Sequence, residues 1–393
     1  MTVESDPATR FISKRAASVP PSGIRRFFDI LSTVEDVISL GVGEPDYVTP
    51  DPVRQAAIDS IARGDTHYTS NFGLFELRER LSQHIEGLYG VRYDPRSEII
   101  ITSGSSEGLD IAVRAVLDPG DELLCPDPSY VAYRPICEMA GAKFVAVPTR
   151  APESFRLQAA DLVERTSEQS RALLIGYPAN PTGAVMYRGD LEEIAEVAEA
   201  NDLLVISDEL YDRISYGFKH TSFAALPRMK ERTILLGGWS KTYAMTGWRL
   251  GWVAGPAALV EATMKIHQYT MMSAPTAAQY AGLAALECGE SFVQEMVAEY
   301  DRRRRLIVDG LRAVGLDTFE PRGAFYAFPD IRVTGMSSWE FSERLMADER
   351  VAVVPGNAFG EGGEGYVRAC YANSFEAIER ALERIGRFVQ RHR

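Results

Sequence analysis

Seven short apolar runs punctuate the middle of the chain, near 99–102, 121–125, 143–147, 172–176, 203–207, 233–237 and 251–254. Their apolar residues are largely continuous, not alternating, which reads as strands buried on both faces. Stretches of helical periodicity separate them. That alternation predicts an α/β fold on a mostly parallel, doubly wound, seven-stranded sheet. Beyond about residue 285 the pattern changes. Long charged helical stretches there flank short strand-like segments near 324–329, 351–354 and 366–371, as in a smaller α+β unit. Residues 1–45 are polar and proline-bearing, with a turn at Pro20-Pro21-Ser22-Gly23-Ile24. The expected organisation is an arm (1–45), a large unit (46–285) and a small unit (286–393). A chain of 393 residues that is 46% hydrophobic can bury a large core, so the units are expected to be subdomains. No internal repeat or low-complexity tract interrupts the pattern.

The ends of the apolar runs carry the candidate chemistry, because ligands of open α/β sheets sit beyond the carboxyl ends of strands. The most informative segment follows the 233–237 run: Gly238-Trp239-Ser240-Lys241-Thr242-Tyr243-Ala244-Met245-Thr246-Gly247-Trp248-Arg249. It sets a lysine beside a hydroxyl, with an arginine eight positions on. An amine condenses with an aldehyde and a guanidinium clamps a phosphate, and a protein that holds pyridoxal phosphate needs both. The 203–207 run leads into Asp208-Glu209-Leu210-Tyr211. A carboxylate in the crevice can keep a pyridine nitrogen protonated, and Tyr211 can hydrogen-bond a phenolic oxygen. Read alone, Asp208 also suits a helix N-cap, worth about 1 kcal/mol. After the 172–176 run, Tyr177-Pro178-Ala179-Asn180-Pro181-Thr182-Gly183 holds Asn180 between prolines, where its amide donates and accepts. The same letters also make an ordinary turn. The 99–102 run ends in Ser103-Gly104-Ser105-Ser106-Glu107-Gly108, a small-residue turn opening a helix whose first N–H groups make a phosphate seat. Tyr130 can stack on a flat heterocycle or fill the core.

Taken in order, Gly104-Ser105-Ser106, Tyr130, Asn180-Pro181-Thr182-Gly183, Asp208-x-x-Tyr211, Ser240-Lys241 and Arg249 resemble the class I/II aminotransferases. These are fold-type I pyridoxal-phosphate enzymes of the aspartate aminotransferase superfamily. The similarity runs from about Val42 to the C-terminus and takes in Gly43-Glu44-Pro45-Asp46, Gly323-Ala324-Phe325-Tyr326 and Tyr366-Val367-Arg368. The resemblance implies a ping-pong transfer of an amino group between an L-amino acid and a 2-oxo acid, with 2-oxoglutarate as acceptor. It implies that Lys241 carries the cofactor and moves the substrate proton, and that Asp208 pairs with the pyridine nitrogen. Tyr211 and Asn180 would bond the phenolic oxygen, and Tyr130 would stack on the ring. Ser240, Arg249 and the backbone of Ser105 and Ser106 would hold the phosphate. Gly43, Asn180 and Arg368 would bind substrate, Arg368 through the α-carboxylate. Tyr68, in Thr66-His67-Tyr68-Thr69, matches a tyrosine that reaches the neighbouring subunit's phosphate, which implies a homodimer with shared active sites. The family also packs its N-terminal arm with the small domain. One departure is Gly238, where many members have serine; the backbone or water must replace that phosphate contact.

Charge and composition narrow the partners. A net charge of −13 argues against nucleic acid as a partner. No apolar run reaches 18 residues and no signal peptide opens the chain, so neither a membrane span nor secretion is expected. Cys125, Cys137, Cys288 and Cys370 lack metal-ligand spacing and suggest buried thiols in a reducing cytoplasm. The five histidines form no pair at ligand spacing, so no metal is expected. The run Arg302-Arg303-Arg304-Arg305 points in several directions on a helix, which suits a solvated face or subunit contacts. Gly360-x-Gly362-x-x-Gly365 precedes a strand-like segment, not a helix, and reads as a glycine-rich loop.

For substrate, Ser106 stands where some aspartate-preferring relatives place a lysine. Gly73-Leu74-Phe75-Glu76-Leu77-Arg78 and Met336-Ser337-Ser338 resemble aromatic aminotransferases and relatives acting on N-acylated diamino acids. Aromatic or broad-range preference is therefore expected. An aspartate/alanine-type or N-acyl-diamino acid enzyme, or a C–S lyase using the same lysine, stays open. A ligand sensor would carry a winged-helix module ahead of the motifs, for which about 45 residues leave no room.

Overall fold

The computed structural model describes residues 7–19 and 36–393. After a short strand β1 (Ile38–Ser39), the main sheet comprises β2 (Ile99–Thr102), β3 (Glu122–Asp127), β4 (Lys143–Pro148), β5 (Ser170–Gly176), β6 (Leu204–Asp208), β7 (Thr233–Gly238) and β8 (Gly251–Ala254). Its order is β2-β8-β7-β6-β5-β3-β4. From β7 to β4 every pairing is parallel. β8 runs antiparallel to both β2 and β7. The fold is thus the mostly parallel α/β arrangement expected.

Period-two geometry explains why the runs are continuously apolar. On β5, Ala172 and Leu174 enter one layer with Leu109, Val113 and Ile136, while Leu173 and Ile175 enter another with Ile194, Val197 and Phe223. On β7, Ile234 and Leu236 join the first layer, and Leu235 packs with Leu81, Trp239 and Leu250. Helices cover both faces, so neither parity of residue can be polar. Each buried Leu or Ile contributes about 1.5–3 kcal/mol against solvent exposure.

The C-terminal part has a separate framework. Helices Glu290–Ala313, Ser338–Glu349 and Phe375–Arg391 surround β9 (Tyr326–Ala327), β10 (Val351–Ala352), β11 (Val354–Pro355) and β12 (Val367–Cys370). Ser337 and Ser374 cap the last two helices by accepting from the backbone N–H three residues on. Strands β11, β12 and β9 form an antiparallel sheet. β1 pairs in parallel with β10, Ile38 opposite Val351, and the Cys370 N–H donates to the Leu40 carbonyl at 2.7 Å. Ile38 and Leu40 share a core with Ile307, Leu345 and Ile385, and also with Tyr211 and Tyr326.

Two sequence expectations need correcting. Arg303 and Arg304 are not solvated: both are buried, Arg303 against Asp46 and Glu299, Arg304 against Asp301 and Glu320. Only Arg302 and Arg305 of that run face outward, because consecutive helical residues point about 100° apart. Cys288 is exposed, unlike Cys125, Cys137 and Cys370. The turn at Pro20–Ile24 lies outside the described residues. Among the described residues no helix is long and apolar enough to cross a membrane.

Candidate active site

The antiparallel return of β8 explains the spacing of Lys241 and Arg249. Gly238 at the end of β7 is opposite Gly251 at the start of β8, so the intervening loop leaves and re-enters the sheet at one edge. Within that loop Ala244 and Arg249 adopt left-handed backbone, φ 52° and 51°. Such conformations cost on the order of 1 kcal/mol each without glycine. Surrounding bonds offset the cost: Met245 N–H to the Ser240 carbonyl (3.1 Å), Thr49 Oγ1 to the Ala244 carbonyl (2.6 Å), and Trp248 Nε1 to Thr49 Oγ1 (3.0 Å).

At this edge the strand ends enclose a cavity of about 260 Å³. Ser105 and Ser106 reach it from the β2 turn, Tyr130 from beyond β3, Asn180 from β5, and Asp208 and Tyr211 from β6. Ser240, Lys241 and Arg249 enter from the β7–β8 loop, Gly43 from the N-terminal segment and Arg368 from β12. Every residue the sequence singled out lines it except Tyr68, which is 80% exposed on the outer surface.

Lys241 Nζ donates to the Gly43 carbonyl at 2.7 Å. Burial lowers its pKa to about 8; Glu44 and the Cys370 thiol pull it up, and Arg368 and Arg249 push it further down. Asp208 accepts from Tyr133 Oη (2.9 Å) and from the Leu210 N–H (3.2 Å), so it closes a turn and caps no α-helix. Burial raises its pKa, and the bond from Tyr133 works against that. At the far end, helix Ser105–Val116 has no side-chain cap, which leaves its first N–H groups free to face an anion. Its N-cap Gly104 has φ 83°, and a Cβ there would stand 2.5 Å from Arg249 Nη2. The positive φ favours glycine, and a side chain there would push the guanidinium aside. Arg249 Nη1 donates to the Thr246 carbonyl at 2.9 Å.

Arg368 is only 3% exposed, and no carboxylate among the described residues pairs with it. Its Nη1 donates to Asn180 Oδ1 (2.8 Å), its Nη2 to the Gly41 carbonyl (2.7 Å), and its Nε is buried without a partner. Asn180 thus keeps its amide N–H groups for the cavity. Sequence reasoning assigned no site role to Gly41, Tyr133, Thr246 or Tyr326, all of which line the cavity, although Thr246 and Tyr326 stand within the matched motifs. Tyr133 lies three residues after Tyr130, at the start of helix Tyr133–Ala140, and that spacing was the available signal for it.

These groups fit pyridoxal phosphate chemically. A carboxylate that burial makes reluctant to stay charged accepts a cationic ring nitrogen. An uncapped helix start beside an arginine accepts a dianion, and a lysine near neutrality accepts an aldehyde. The family model for class I and II aminotransferases matches residues 35–385. The chain is 45% identical to an aspartate aminotransferase of Pyrococcus abyssi, over 96% of this chain and 98% of that protein. It is 43% identical to aromatic-amino-acid aminotransferase 2 of Thermococcus litoralis, with the same coverage. The crystal structure of an aromatic aminotransferase from Pyrococcus horikoshii superposes with a TM-score of 0.89 at 45% identity, covering 93% of this chain and 99% of that one. The lysine, half-buried carboxylate and arginine gathered at the strand ends of this sheet therefore belong to a class I/II aminotransferase, a pyridoxal-phosphate-dependent transferase of fold type I.

Proposed function

We propose that the enzyme transfers the amino group of aromatic, or a broad range of, L-amino acids to 2-oxoglutarate by a ping-pong sequence, as a cytoplasmic homodimer. The observation that carries the carboxylate-reading half is Arg368: a buried guanidinium with no anionic partner among the described residues, facing the cavity that Lys241 faces. A buried charge needs an opposite charge, and a substrate α-carboxylate supplies it through two parallel hydrogen bonds.

Bound pyridoxal phosphate supplies an electron sink for the charge left when the substrate α-proton departs. The chain's residues do the rest. Lys241 would carry the cofactor, and its freed amine would take the proton from the substrate α-carbon and return it to the cofactor's C4′, on the other side of the intervening nitrogen. Asp208 holds its negative charge at the ring nitrogen, and Tyr133 fixes its orientation. Tyr211 and the Asn180 amide donate to the phenolic oxygen, and Tyr130 covers the ring. Ser240, Arg249 and the N–H groups of Ser105 and Ser106 hold the phosphate. Arg368 and Asn180 orient the substrate, with Gly43 leaving room beside Lys241.

Three features support aromatic or broad preference. Among the described residues the cations lining the cavity are Lys241, Arg249 and Arg368, each already engaged in the scheme above. Ser106 offers no charge for a distal carboxylate, and Tyr130, Tyr133 and Tyr326 add aromatic wall. Relatives named for aspartate, for aromatic amino acids and for N-acetyl-LL-diaminopimelate all match, which fits a broad range. Tyr68 supports the dimer: its loop is tied through the His67 carbonyl to Thr276 and through Thr69 to Gln279. The segment leading to Thr276 exposes Tyr269, Met271 and Met272 by 86, 45 and 44%, apolar surface of the kind subunits cover. We also propose the division into arm (1–45), large domain (46–285) and small domain (286–393). The pairing of β1 with β10 supports packing of the arm's end on the small domain. Buried thiols at Cys125, Cys137 and Cys370 support a reducing compartment.

An amino-donor panel with 2-oxoglutarate tests the substrate reading. L-phenylalanine and L-tyrosine are expected to give kcat/KM at least equal to that of L-aspartate. A preference for aspartate above about tenfold, 1.4 kcal/mol at the transition state, contradicts it. Pyruvate released from cystathionine without any acceptor selects the lyase.

A further inference from the structure

Tyr326 on β9 is fully buried and touches both working ends of the site. Its hydroxyl lies 2.6 Å from Tyr211 Oη. Its ring centroid lies 4.5 Å from the guanidinium carbon of Arg368, with the Phe359 ring at 4.9 Å from the same atom. A Cβ at residue 43 would stand 2.6 Å from Tyr326 Oη. Glycine there lets the tyrosine hydroxyl sit against the segment whose carbonyl accepts from Lys241.

We propose that Tyr326 is a positioning residue that sets the donor strength of Tyr211 through its hydroxyl and the orientation of Arg368 through its ring. This rests on the roles of Tyr211 and Arg368 proposed above. Each hydroxyl has one proton and two lone pairs. Once Tyr211 spends its proton on the phenolic oxygen, the contact between the two tyrosines is made by the Tyr326 proton. Donation into Tyr211 polarises its own O–H and makes it a better donor. A better donor steadies negative charge on the phenolic oxygen, and so weakens that oxygen's hold on the proton at the Lys241 nitrogen. At the other end, Arg368 has bonds at Nη1 and Nη2 and none at Nε. The electron-rich face of Tyr326 therefore helps fix the plane of the fork.

The two functions separate by substitution in the holoenzyme. Tyr326→Phe removes the hydroxyl and keeps the ring; Tyr326→Leu removes both. The first readout is the midpoint of the pH titration of the cofactor's visible absorption band. The second is the dissociation constant of 3-phenylpropanoate, a carboxylate without a reacting amine, measured by its effect on that band. Tyr326→Phe is expected to raise the midpoint by about half a unit, the scale of one neutral hydrogen bond, and to change carboxylate affinity less than about twofold. Tyr326→Leu is expected to raise the midpoint equally and weaken the carboxylate about three- to tenfold. An unmoved midpoint in Tyr326→Phe overturns the hydroxyl role, and unchanged affinity in Tyr326→Leu overturns the ring role. If Tyr326→Leu does not fold, the ring role is read from Tyr326→Met, which also lacks a ring. Tyr211→Phe is the reference: if it leaves the midpoint unmoved, the Tyr211 assignment itself fails, whereas a shift in Tyr211→Phe alone isolates the failure to Tyr326.

Discussion

At Lys241 a cost of burial becomes a chemical property. A solvated lysine is almost wholly protonated at neutral pH; burial brings this one to about 8, so a useful fraction is free amine. Only the free amine attacks an aldehyde. The rate of pyridoxal phosphate attachment to the apoenzyme is therefore expected to rise with pH and level off above about 8, not near 10.5. Borohydride reduction should fix the cofactor on Lys241, as read by peptide mass spectrometry; label on another lysine contradicts the assignment. Arg368 makes the companion case. Arg368→Lys keeps the charge and loses the planar fork, and is expected to raise KM about tenfold for every amino acid and oxo acid, the scale of one charge-assisted bond. The cofactor's spectrum should barely change, since the proposed phosphate ligand is Arg249. A kcat/KM within about twofold of wild type contradicts the carboxylate role. The residues with their own motif were legible in the sequence. Contacts between them were not: Tyr326 stands in a matched motif, but it meets a tyrosine 115 positions away, and no local pattern records that contact.

The elements were legible wherever burial on both faces left a continuous apolar run. Strand direction was not, because an apolar run has no polarity; the reversal of β8 follows from pairing between β7 and β2. The turn after β6 shows how an element presents its residues. Glu209, buried beside Asp208, accepts from Ser207 Oγ (2.9 Å), Ser222 Oγ (3.1 Å) and the Phe223 N–H (2.9 Å), and contacts His220 Nε2 (3.0 Å). Burial works to lower the His220 pKa, but the Glu209 and Asp212 carboxylates raise it above its usual value. A raised histidine pKa stabilises the fold below about pH 6.5, and that increment is lost as pH rises through the folded value. Glu209→Gln is expected to cost about 2–3 kcal/mol in denaturant unfolding at pH 6, with the penalty shrinking by pH 9. A penalty independent of pH would mean that His220 carries no charge in the fold.

Over the whole molecule, the site exists because distant parts of the chain meet at one sheet edge. Gly43 comes from the segment laced to β10, Lys241 from the β7–β8 loop and Arg368 from β12. The two frameworks share a core in which Tyr211 packs with Tyr326, so the groups proposed to read substrate and to hold cofactor sit on different supports that touch. The change of periodicity near residue 285 falls just ahead of helix Glu290–Ala313, while the ion pairs of Arg303 and Arg304 were hidden, since a run of four arginines carries no mark of which two turn inward. The central claim is that this assembly moves an amino group in two separable halves. Its most direct measurement mixes holoenzyme with L-phenylalanine and no oxo acid, following the cofactor's visible band and the 2-oxo acid released. The expected result is loss of the band with one equivalent of phenylpyruvate per Lys241, then full recovery on adding 2-oxoglutarate. Continuous product release without an acceptor, or a band that does not respond to any amino acid, would contradict it.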